Sequence, residues 1–192
     1  MCGIIGYLGK GIAQEPLVDG LRRLEYRGYD SAGVAFHEGE SFSVARETGR
    51  VKNLAESVKK NSSVSSLGIA HTRWATHGAV TVSNTHPHVS YDGKFVMVHN
   101  GVIENFGTLK KFLSGKGVEF TSETDSEVLC NLIAFHYSEL PKGDGRFIDA
   151  LRQSLPKCRG AYGIAILCLD YPDTMIGARR GSPLVVGLGD EA

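Results

Sequence analysis

The chain has 192 residues, 42% of them hydrophobic and 22% charged, which is the ordinary balance of a globular domain with a sizeable core. Lys and Arg together number 21, as do Asp and Glu, so the formal net charge is zero. This balance argues against a nucleic-acid partner and against an acidic tail. The longest apolar stretch, GAYGIAILCL, is too short to span a membrane.

The first half of the chain is predicted to mix short strands with amphipathic helices. Apolar residues at Leu17, Val18, Leu21 and Leu24 follow the three- and four-residue spacing of a helix. A turn at 39–40 joins two strands into a hairpin. Strands are predicted at 2–9, 31–38, 41–49 and 66–74, and helices at 15–28 and 50–61.

The second half of the chain is predicted to place three helices between strands. Strands are predicted at 94–101, 118–120, 161–170, 173–180 and 182–189, and helices at 104–117, 122–140 and 146–158. Strands therefore cluster at both ends, which favours an α+β fold of layered sheets covered by helices. Because the chain stops just after a predicted apolar strand, we expect residues 1–192 to be one domain cut from a longer chain.

The cysteine pattern indicates reduced thiols. None of the four cysteines forms a CxxC pair, and Cys130 and Cys168 lie in apolar runs typical of buried thiols in a cytoplasmic protein. The N-terminus is apolar for only a few residues and lacks the basic segment of a secretory signal. We therefore expect a cytoplasmic location.

Cys2 directly follows Met1, and a start methionine is usually removed when the next residue is small. Removal would leave an α-amine and a thiol on one residue, with reference pKa values of ~7.7–8.0 and ~8.5. The amine could then serve as the base for a thiolate that attacks a carboxamide or ester carbonyl. With Met1 retained, the Cys2 nitrogen is an amide and cannot do so. The alternative is an inert cysteine.

The segment HNGVIEN at 99–105 offers a candidate oxyanion hole. A strand that ends at Asn100 and Gly101 could present the asparagine side-chain amide and the glycine N–H to one point. Only glycine leaves such an N–H open to close approach. The alternative is a plain Asn-Gly hairpin turn.

The segment AHTRWATHG at 70–78 offers candidate substrate contacts. Arg73 has the planar fork that suits a carboxylate, and Thr76 and His77 add further donors. Trp74 could form a lid or wall. Asp125, at the start of a predicted helix, could receive an ammonium group, so that Arg73 and Asp125 would bracket an amino acid. The alternatives are a surface arginine, a core tryptophan and a helix-capping aspartate.

Five of the seven histidines lie between residues 71 and 99. Their spacing matches neither HExxH nor a paired CxxC zinc site, so no metal site is predicted. The segment THPH at 85–88 is interpreted as a polar loop. No cofactor is predicted either.

Five segments taken in order resemble the class II, N-terminal-nucleophile glutamine amidotransferases, and in particular the glutaminase domains of glucosamine-6-phosphate synthases. They are MCGIIGYLG, LRRLEYRGYDSAG, HTRWATHG, HNGVIEN and SETDSEV. MCGI and HNG are shared across the class. EYRGYDSAG and RWATHG favour the glucosamine-6-phosphate synthases over purine-pathway amidotransferases, which have an HRGQD-like segment. The resemblance covers essentially the whole chain.

The resemblance implies a four-layer α/β/β/α sandwich of the N-terminal-nucleophile hydrolase type. It implies that Cys2 is the nucleophile, that its own amine is the base, and that Asn100 and Gly101 form the oxyanion hole. The residues implied in glutamine binding are Arg73, Trp74, Thr76, His77, Asp125, Arg27 and Gly28. Arg73, supported by Thr76 and His77, would hold the α-carboxylate, Asp125 would hold the α-amine, and Trp74 would shield the pocket near the exit for ammonia.

The implied activity is hydrolysis of L-glutamine to glutamate and ammonia. Family members continue into a C-terminal sugar isomerase region that binds fructose 6-phosphate, so a covalently linked isomerase domain is the expected partner. A homodimer is left open, and no membrane or nucleic-acid partner is expected. Two alternatives remain: an amidotransferase domain that serves another acceptor, and a non-catalytic domain that binds an amino acid.

Overall fold

The structure, a computed structural model, describes residues 2–74 and 79–189. Within these ranges, strands form two antiparallel sheets and helices cover the outer face of each sheet. The chain builds one sheet before residue 74 and the other after residue 87. The two sheets therefore come from separate parts of the sequence.

The first sheet has the strand order β1-β4-β2-β3. Its strands are β1 (Gly3–Leu8), β2 (Ser31–His37), β3 (Phe42–Thr48) and β4 (Leu67–Arg73). Gly3 lies opposite Thr72, and Gly33 lies opposite His71. Because β1 and β4 are antiparallel, the residue before Gly3 lies beside the end of β4. This register brings Cys2 to Arg73.

The second sheet has the strand order β5-β6-β7-β8. Its strands are β5 (His88–Val89), β6 (Phe95–Ile103), β7 (Gly160–Cys168) and β8 (Met175–Arg180). The central strands β6 and β7 pair over nine positions, from Phe95 opposite Cys168 to Ile103 opposite Gly160. This long ladder holds β6 rigidly over its whole length.

Helices α1 (Gln14–Leu24) and α2 (Val51–Lys60) cover the first sheet, and α3 (Phe106–Ser114), α4 (Asp125–Glu139) and α5 (Arg146–Ser154) cover the second. Short 3₁₀ turns follow at Glu25–Arg27 and Leu155–Lys157. Helix α4 is buried almost throughout because it packs on β6 between α3 and α5. None of the helices in the described ranges has the length and apolar character needed to cross a membrane.

The space between the sheets is filled by side chains that alternate along the strands. The buried apolar residues there are Ala35, Leu67, Ile69, Val96, Val98, Ala165 and Leu167. Neighbouring residues on the same strands, such as Ala70 and Met97, point to the opposite faces and pack under the helices. The layers are therefore helix, sheet, sheet and helix, as the resemblance implied.

The structure corrects three predicted elements and adds one strand. The strand predicted to end at 101 continues to Ile103. Residues 118–120 form no strand, because the Val118 N–H bonds to the Leu113 carbonyl and closes the end of α3. Residues 182–189 form no strand, and their apolar side chains are exposed, with Leu188 96% accessible. The two-residue strand β5 was not predicted because it is too short for a periodic pattern.

Candidate active site

The apolar layer between the sheets becomes polar at one end. Ile69 and Val98 belong to the apolar part, and two residues further along the same strands come His71 and Asn100. Cys2, the residue just before β1, stands two residues before Ile4, which also packs in this layer. Because side chains alternate along a strand, all three polar residues face the space between the sheets.

The Cys2 thiol lies against the backbone that leaves β4. The Trp74 N–H donates to the Cys2 Sγ at 3.1 Å, and the Trp74 carbonyl lies 3.6 Å from the same sulfur. Gly3, the first residue of β1, is held as well, since its N–H donates to the Thr72 Oγ1 at 3.1 Å. These contacts fix the half-buried sulfur on the first sheet.

The surroundings of the thiol favour its protonated form. Burial raises the pKa of Cys2, and the nearby Asp30 carboxylate raises it further, whereas the Trp74 N–H and the Arg73 guanidinium act in the opposite direction. Because the net shift is upward, the thiol needs a proton acceptor before it can attack a carbonyl. This is the role that the sequence assigns to the α-amine of a trimmed chain.

Asn100 faces Cys2 from the opposite sheet. Its Nδ2 donates to the Cys2 carbonyl oxygen at 2.9 Å, while its Oδ1 lies 2.9 Å from the His71 Nε2. The side-chain amide is therefore held at both ends. Its NH₂ group lies next to the residue that carries the thiol.

The Asn-Gly hairpin considered as an alternative is wrong. Asn100 and Gly101 lie within β6 and pair with Gly163 and Tyr162 of β7. Gly101 has φ +127°, and a Cβ there would lie 2.1 Å from the Ala161 carbonyl oxygen. Glycine is required because the neighbouring strand occupies the space of a side chain.

Arg73 and Trp74 stand where β4 ends. Arg73 is only 4% exposed and its Nη1 donates to the Ala79 carbonyl at 3.2 Å, so the surface-arginine alternative is wrong. Trp74 is 46% exposed and meets Tyr29 edge to face at 5.3 Å, so the core-tryptophan alternative is wrong too. The two aromatic rings therefore form an exposed pair at the residue whose backbone contacts the thiol. Thr76 and His77 lie outside the described residues.

Gly28 supports the backbone that holds the thiol. A Cβ at Gly28 would lie 2.8 Å from the carbonyl carbon and oxygen of Arg73 and 3.1 Å from the Trp74 nitrogen. The peptide whose N–H reaches Cys2 therefore packs directly on this glycine. The Arg27 side chain turns to a different neighbour, because its Nε donates to the Tyr26 hydroxyl at 2.9 Å.

Asp125 lies at the buried start of α4, and its Oδ2 accepts the Ile103 N–H at 2.7 Å. The capping alternative for Asp125 is wrong, because Thr124 caps the helix by accepting the Glu127 N–H. Ile103 follows Gly101 by two residues on β6. The bond therefore ties this carboxylate to the strand that carries Asn100.

A group of histidines fills the polar end of the layer. The His71 and His86 rings are 4.2 Å apart, and the His86 and His88 rings are 4.7 Å apart. Burial lowers the pKa of His71 to about 4, and it also lowers the pKa values of His86, His88 and His99. These rings are therefore neutral at pH 7. In the parts of the chain that the structure describes, no three His, Cys, Asp or Glu side chains are grouped to hold a metal ion.

Sequence reasoning considered His71 only as a metal ligand and missed its contact with Asn100. A usable signal was present, since His71 follows Ile69 at the two-residue period of a strand and so faces the same side. What the sequence lacked was the partner across the layer, 29 residues away.

Residues 56–151, half of the chain, match the family model of the glutamine amidotransferase domain. The chain belongs to the glutamine amidotransferase domain family. This confirms the resemblance drawn from the motifs around Cys2, Arg73 and Asn100.

This amidotransferase domain is similar along nearly its whole length to proteins named glutamine–fructose-6-phosphate aminotransferase (isomerizing). It is 45% identical to the one from Caldanaerobacter subterraneus over 190 residues, which is 99% of this chain and 30% of the relative. It is 49% identical to the one from Acinetobacter baylyi over 189 residues, 98% of this chain and again 30% of the relative. The chain thus spans about a third of the length of these curated relatives.

The fold is similar to that of a solved amidotransferase. The glutamine phosphoribosylpyrophosphate amidotransferase of B. subtilis, bound to ADP and GMP, superimposes with a TM-score of 0.75 at 26% identity. The match covers 93% of this domain and 37% of that chain. The prediction of an α+β, four-layer sandwich of the N-terminal-nucleophile type is confirmed.

Proposed function

We propose that this domain hydrolyses L-glutamine to glutamate and ammonia through a thioester on the Cys2 sulfur. The observation that carries the proposal is the meeting of the two sheets at Cys2. The Trp74 N–H holds the sulfur from one sheet, and the Asn100 NH₂ reaches the same residue from the other, at 2.9 Å from its carbonyl oxygen. A nucleophile beside an oriented amide donor suits acyl transfer.

The first half of the reaction uses the α-amine that removal of Met1 exposes. The amine takes the thiol proton, and the sulfur attacks the side-chain carbonyl carbon of glutamine. A C–S bond forms as the carbonyl oxygen becomes an oxyanion, which accepts hydrogen bonds from the Asn100 Nδ2 and the Gly101 N–H. The raised pKa of the Cys2 thiol explains why a base on the same residue is needed.

The second half releases both products. The oxyanion collapses, the C–N bond breaks, and the α-ammonium gives its proton to the departing nitrogen, which leaves as ammonia. Water then attacks the thioester with the amine again as base, the C–S bond breaks, and glutamate leaves as the thiol is restored. No cofactor or metal ion is required for these steps.

Glutamine is proposed to bind by its two charged ends. Arg73, with Thr76 and His77, is proposed to hold the α-carboxylate, and Asp125 the α-ammonium. Trp74 is proposed to shield the pocket and to lie near the exit for ammonia. Gly28 supports the nucleophile through the Arg73–Trp74 peptide, and Arg27 is proposed to line the entrance.

Replacing Asp125 by asparagine is expected to raise the KM for glutamine by roughly 10–100-fold, because a charge-assisted bond is lost. The fold is expected to survive, since an asparagine oxygen can still accept the Ile103 N–H that Asp125 accepts at 2.7 Å. Steady-state kinetics and thermal unfolding measure the two effects. The control is Glu123→Gln, which removes a nearby exposed carboxylate that bonds to Asn84. Equal KM changes in both variants would contradict the role of Asp125.

The whole protein is proposed to use the ammonia on fructose 6-phosphate. The relatives that carry this activity in their names are about three times as long as this chain. We therefore propose that residues 1–192 are the glutaminase part of a longer cytoplasmic protein with a covalently linked C-terminal isomerase region. The molar mass in solution measures whether this protein forms the homodimer left open above.

The test is to give glutamine labelled with ¹⁵N in its side-chain amide to the trimmed chain. We expect labelled ammonia and glutamate in equal amounts, and covalent labelling of Cys2 alone by a diazoketone analogue of glutamine. Intact mass reports both the removal of Met1 and the labelling. Binding of glutamine without turnover or labelling would favour the alternative of a non-catalytic amino-acid-binding domain.

A further inference from the structure

We propose that His71 is a positioning residue that holds the Asn100 side-chain amide with its NH₂ group towards the oxyanion. The proposal deepens the proposed function and depends on it. Sequence reasoning assigned His71 no role in catalysis. Four observations on the described residues lead to the proposal: the two bonds of the Asn100 amide, the burial of the His71 ring, its contact with the His86 ring, and its place on β4.

The orientation of the Asn100 amide follows from its two neighbours. The Cys2 carbonyl oxygen can only accept a hydrogen bond, so the atom 2.9 Å away from it must be the NH₂ group of Asn100. The Asn100 oxygen therefore points the other way, to the His71 Nε2 at 2.9 Å. Since this oxygen only accepts, the His71 Nε2 must carry a hydrogen.

The charge state of His71 is fixed by its burial. The His71 side chain has no solvent exposure, and burial lowers its pKa to about 4. A neutral imidazole has one N–H, which the bond to Asn100 places on Nε2. The Nδ1 is then the unprotonated nitrogen, and it has no hydrogen-bond partner among the described residues. The bond to Asn100 therefore decides which of the two ring nitrogens carries the hydrogen.

The position of the His71 ring is fixed by the fold. Its backbone belongs to β4 and lies opposite Gly33 of β2, in the middle of the first sheet. The ring packs against the buried His86 ring, with centroids 4.2 Å apart and planes tilted by 36°. A donor held in this way prevents the amide from rotating by half a turn. Such a rotation would present the Asn100 oxygen to the oxyanion and replace attraction by repulsion.

The experiment compares two substitutions in the chain trimmed of Met1. His71→Leu removes the donor, and we expect kcat for glutamine hydrolysis to fall about 10²-fold with KM changed less than about threefold, because one oxyanion donor contributes 10²–10³ in kcat. His71→Gln restores an N–H close to the Nε2 position. We expect its kcat to be at least about tenfold higher than that of His71→Leu.

The matched control is His136→Leu. His136 is also buried, with its Nδ1 2.8 Å from the Ser154 Oγ, but it lies on α4 among the helices that cover the second sheet. We expect this variant to lose stability and to keep kcat within about threefold of the parent chain. A comparable loss of kcat in His136→Leu and His71→Leu would overturn the proposal, because it would indicate a general effect of losing a buried histidine.

Two further measurements separate the oxyanion donor from the nucleophile. Iodoacetamide alkylates the Cys2 sulfur by displacing iodide and forms no oxyanion, so its rate is expected to be equal in the parent chain and in His71→Leu. In the complex with glutamate γ-semialdehyde the α-amine takes the thiol proton, the sulfur forms a C–S bond to the aldehyde carbon, and the aldehyde C=O π bond breaks to leave an oxyanion. We expect the affinity for this aldehyde to fall in His71→Leu by the same factor as kcat/KM.

The hydrogen on Nε2 is tested in the parent chain by ¹⁵N spectra of labelled histidine. We expect the Nε2–H tautomer of His71 throughout pH 6–8. The Nδ1–H tautomer, an unchanged kcat in His71→Leu, or no recovery in a folded His71→Gln would overturn the proposal. These outcomes differ from a failure of the proposed function, in which the parent chain itself would release no ammonia while its tautomer remained as expected.

Discussion

Replacing Cys2 by alanine is expected to abolish glutamine hydrolysis, with a loss of roughly 10⁴-fold or more, because the variant has no atom that can form the thioester. The fold is expected to remain intact. The sulfur is half-buried at the rim of the sandwich, and it contacts backbone atoms of Trp74 that solvent can also satisfy. Ammonia release measures the first effect, and thermal unfolding measures the second.

A chain that keeps a residue ahead of Cys2 is expected to be equally inactive. Its Cys2 nitrogen is an amide and cannot accept the thiol proton, and burial raises the pKa of that thiol, so little thiolate forms without a base. The comparison is made between trimmed and extended chains whose N-termini have been verified by intact mass. Turnover by a verified extended chain would contradict the role of the α-amine.

The control for Cys2→Ala is Cys158→Ser. Cys158 is also a thiol, but it is 1% exposed and its Sγ donates to the Ser154 carbonyl among the helices. Its substitution is expected to leave turnover unchanged. An equal loss of activity in both variants would indicate that the assay reports protein damage, and the nucleophile would have to be sought elsewhere.

Replacing Gly101 by alanine is expected to lower the free energy of unfolding by about 3 kcal/mol or more, and to abolish turnover in the fraction that folds. The added Cβ would lie 2.1 Å from the Ala161 carbonyl oxygen, which belongs to the neighbouring strand β7 and cannot easily move. The positive φ of +127° adds backbone strain for any residue with a side chain. Urea unfolding measures the loss.

The control for this substitution is Gly107→Ala. Gly107 lies in the first turn of α3, and a Cβ there meets no atom within 4 Å. Alanine at this position is expected to leave stability unchanged or to raise it by up to about 1 kcal/mol, because alanine favours a helix. An equal free energy of unfolding for Gly101→Ala and Gly107→Ala would contradict the close approach of β6 and β7 at Gly101.

The paired strands at Gly101 also show where local sequence rules mislead. Asn-Gly is a strong hairpin signal, so the sequence favoured the end of a strand at this point. The strand continues because β7 pairs with it for nine residues, and the positive φ of Gly101 is accommodated inside the ladder. A similar correction applies to residues 182–189, whose apolar pattern predicts a strand although no neighbouring strand pairs with them.

The start of α4 shows the same limit for single residues. Asp125 and Thr124 are both good capping residues, and the sequence does not tell them apart. The structure assigns the cap to Thr124 and directs the Asp125 carboxylate to the Ile103 N–H on β6. Only the packing of α4 on the second sheet decides this, because the choice depends on a backbone group 22 residues away.

By itself, the sequence determined the layered fold class, most of the strands and helices, and the chemistry available at Cys2. These follow from periodicity and from functional groups carried by single residues, which act over a few neighbours along the chain. The tertiary structure decided which groups meet. Asn100 lies 98 residues from Cys2 and 29 residues from His71 along the sequence, yet its side chain contacts both. Asn100 belongs to the second sheet, whereas Cys2 and His71 lie at the first. Such contacts depend on register and on the stacking of the sheets, which the local pattern does not encode.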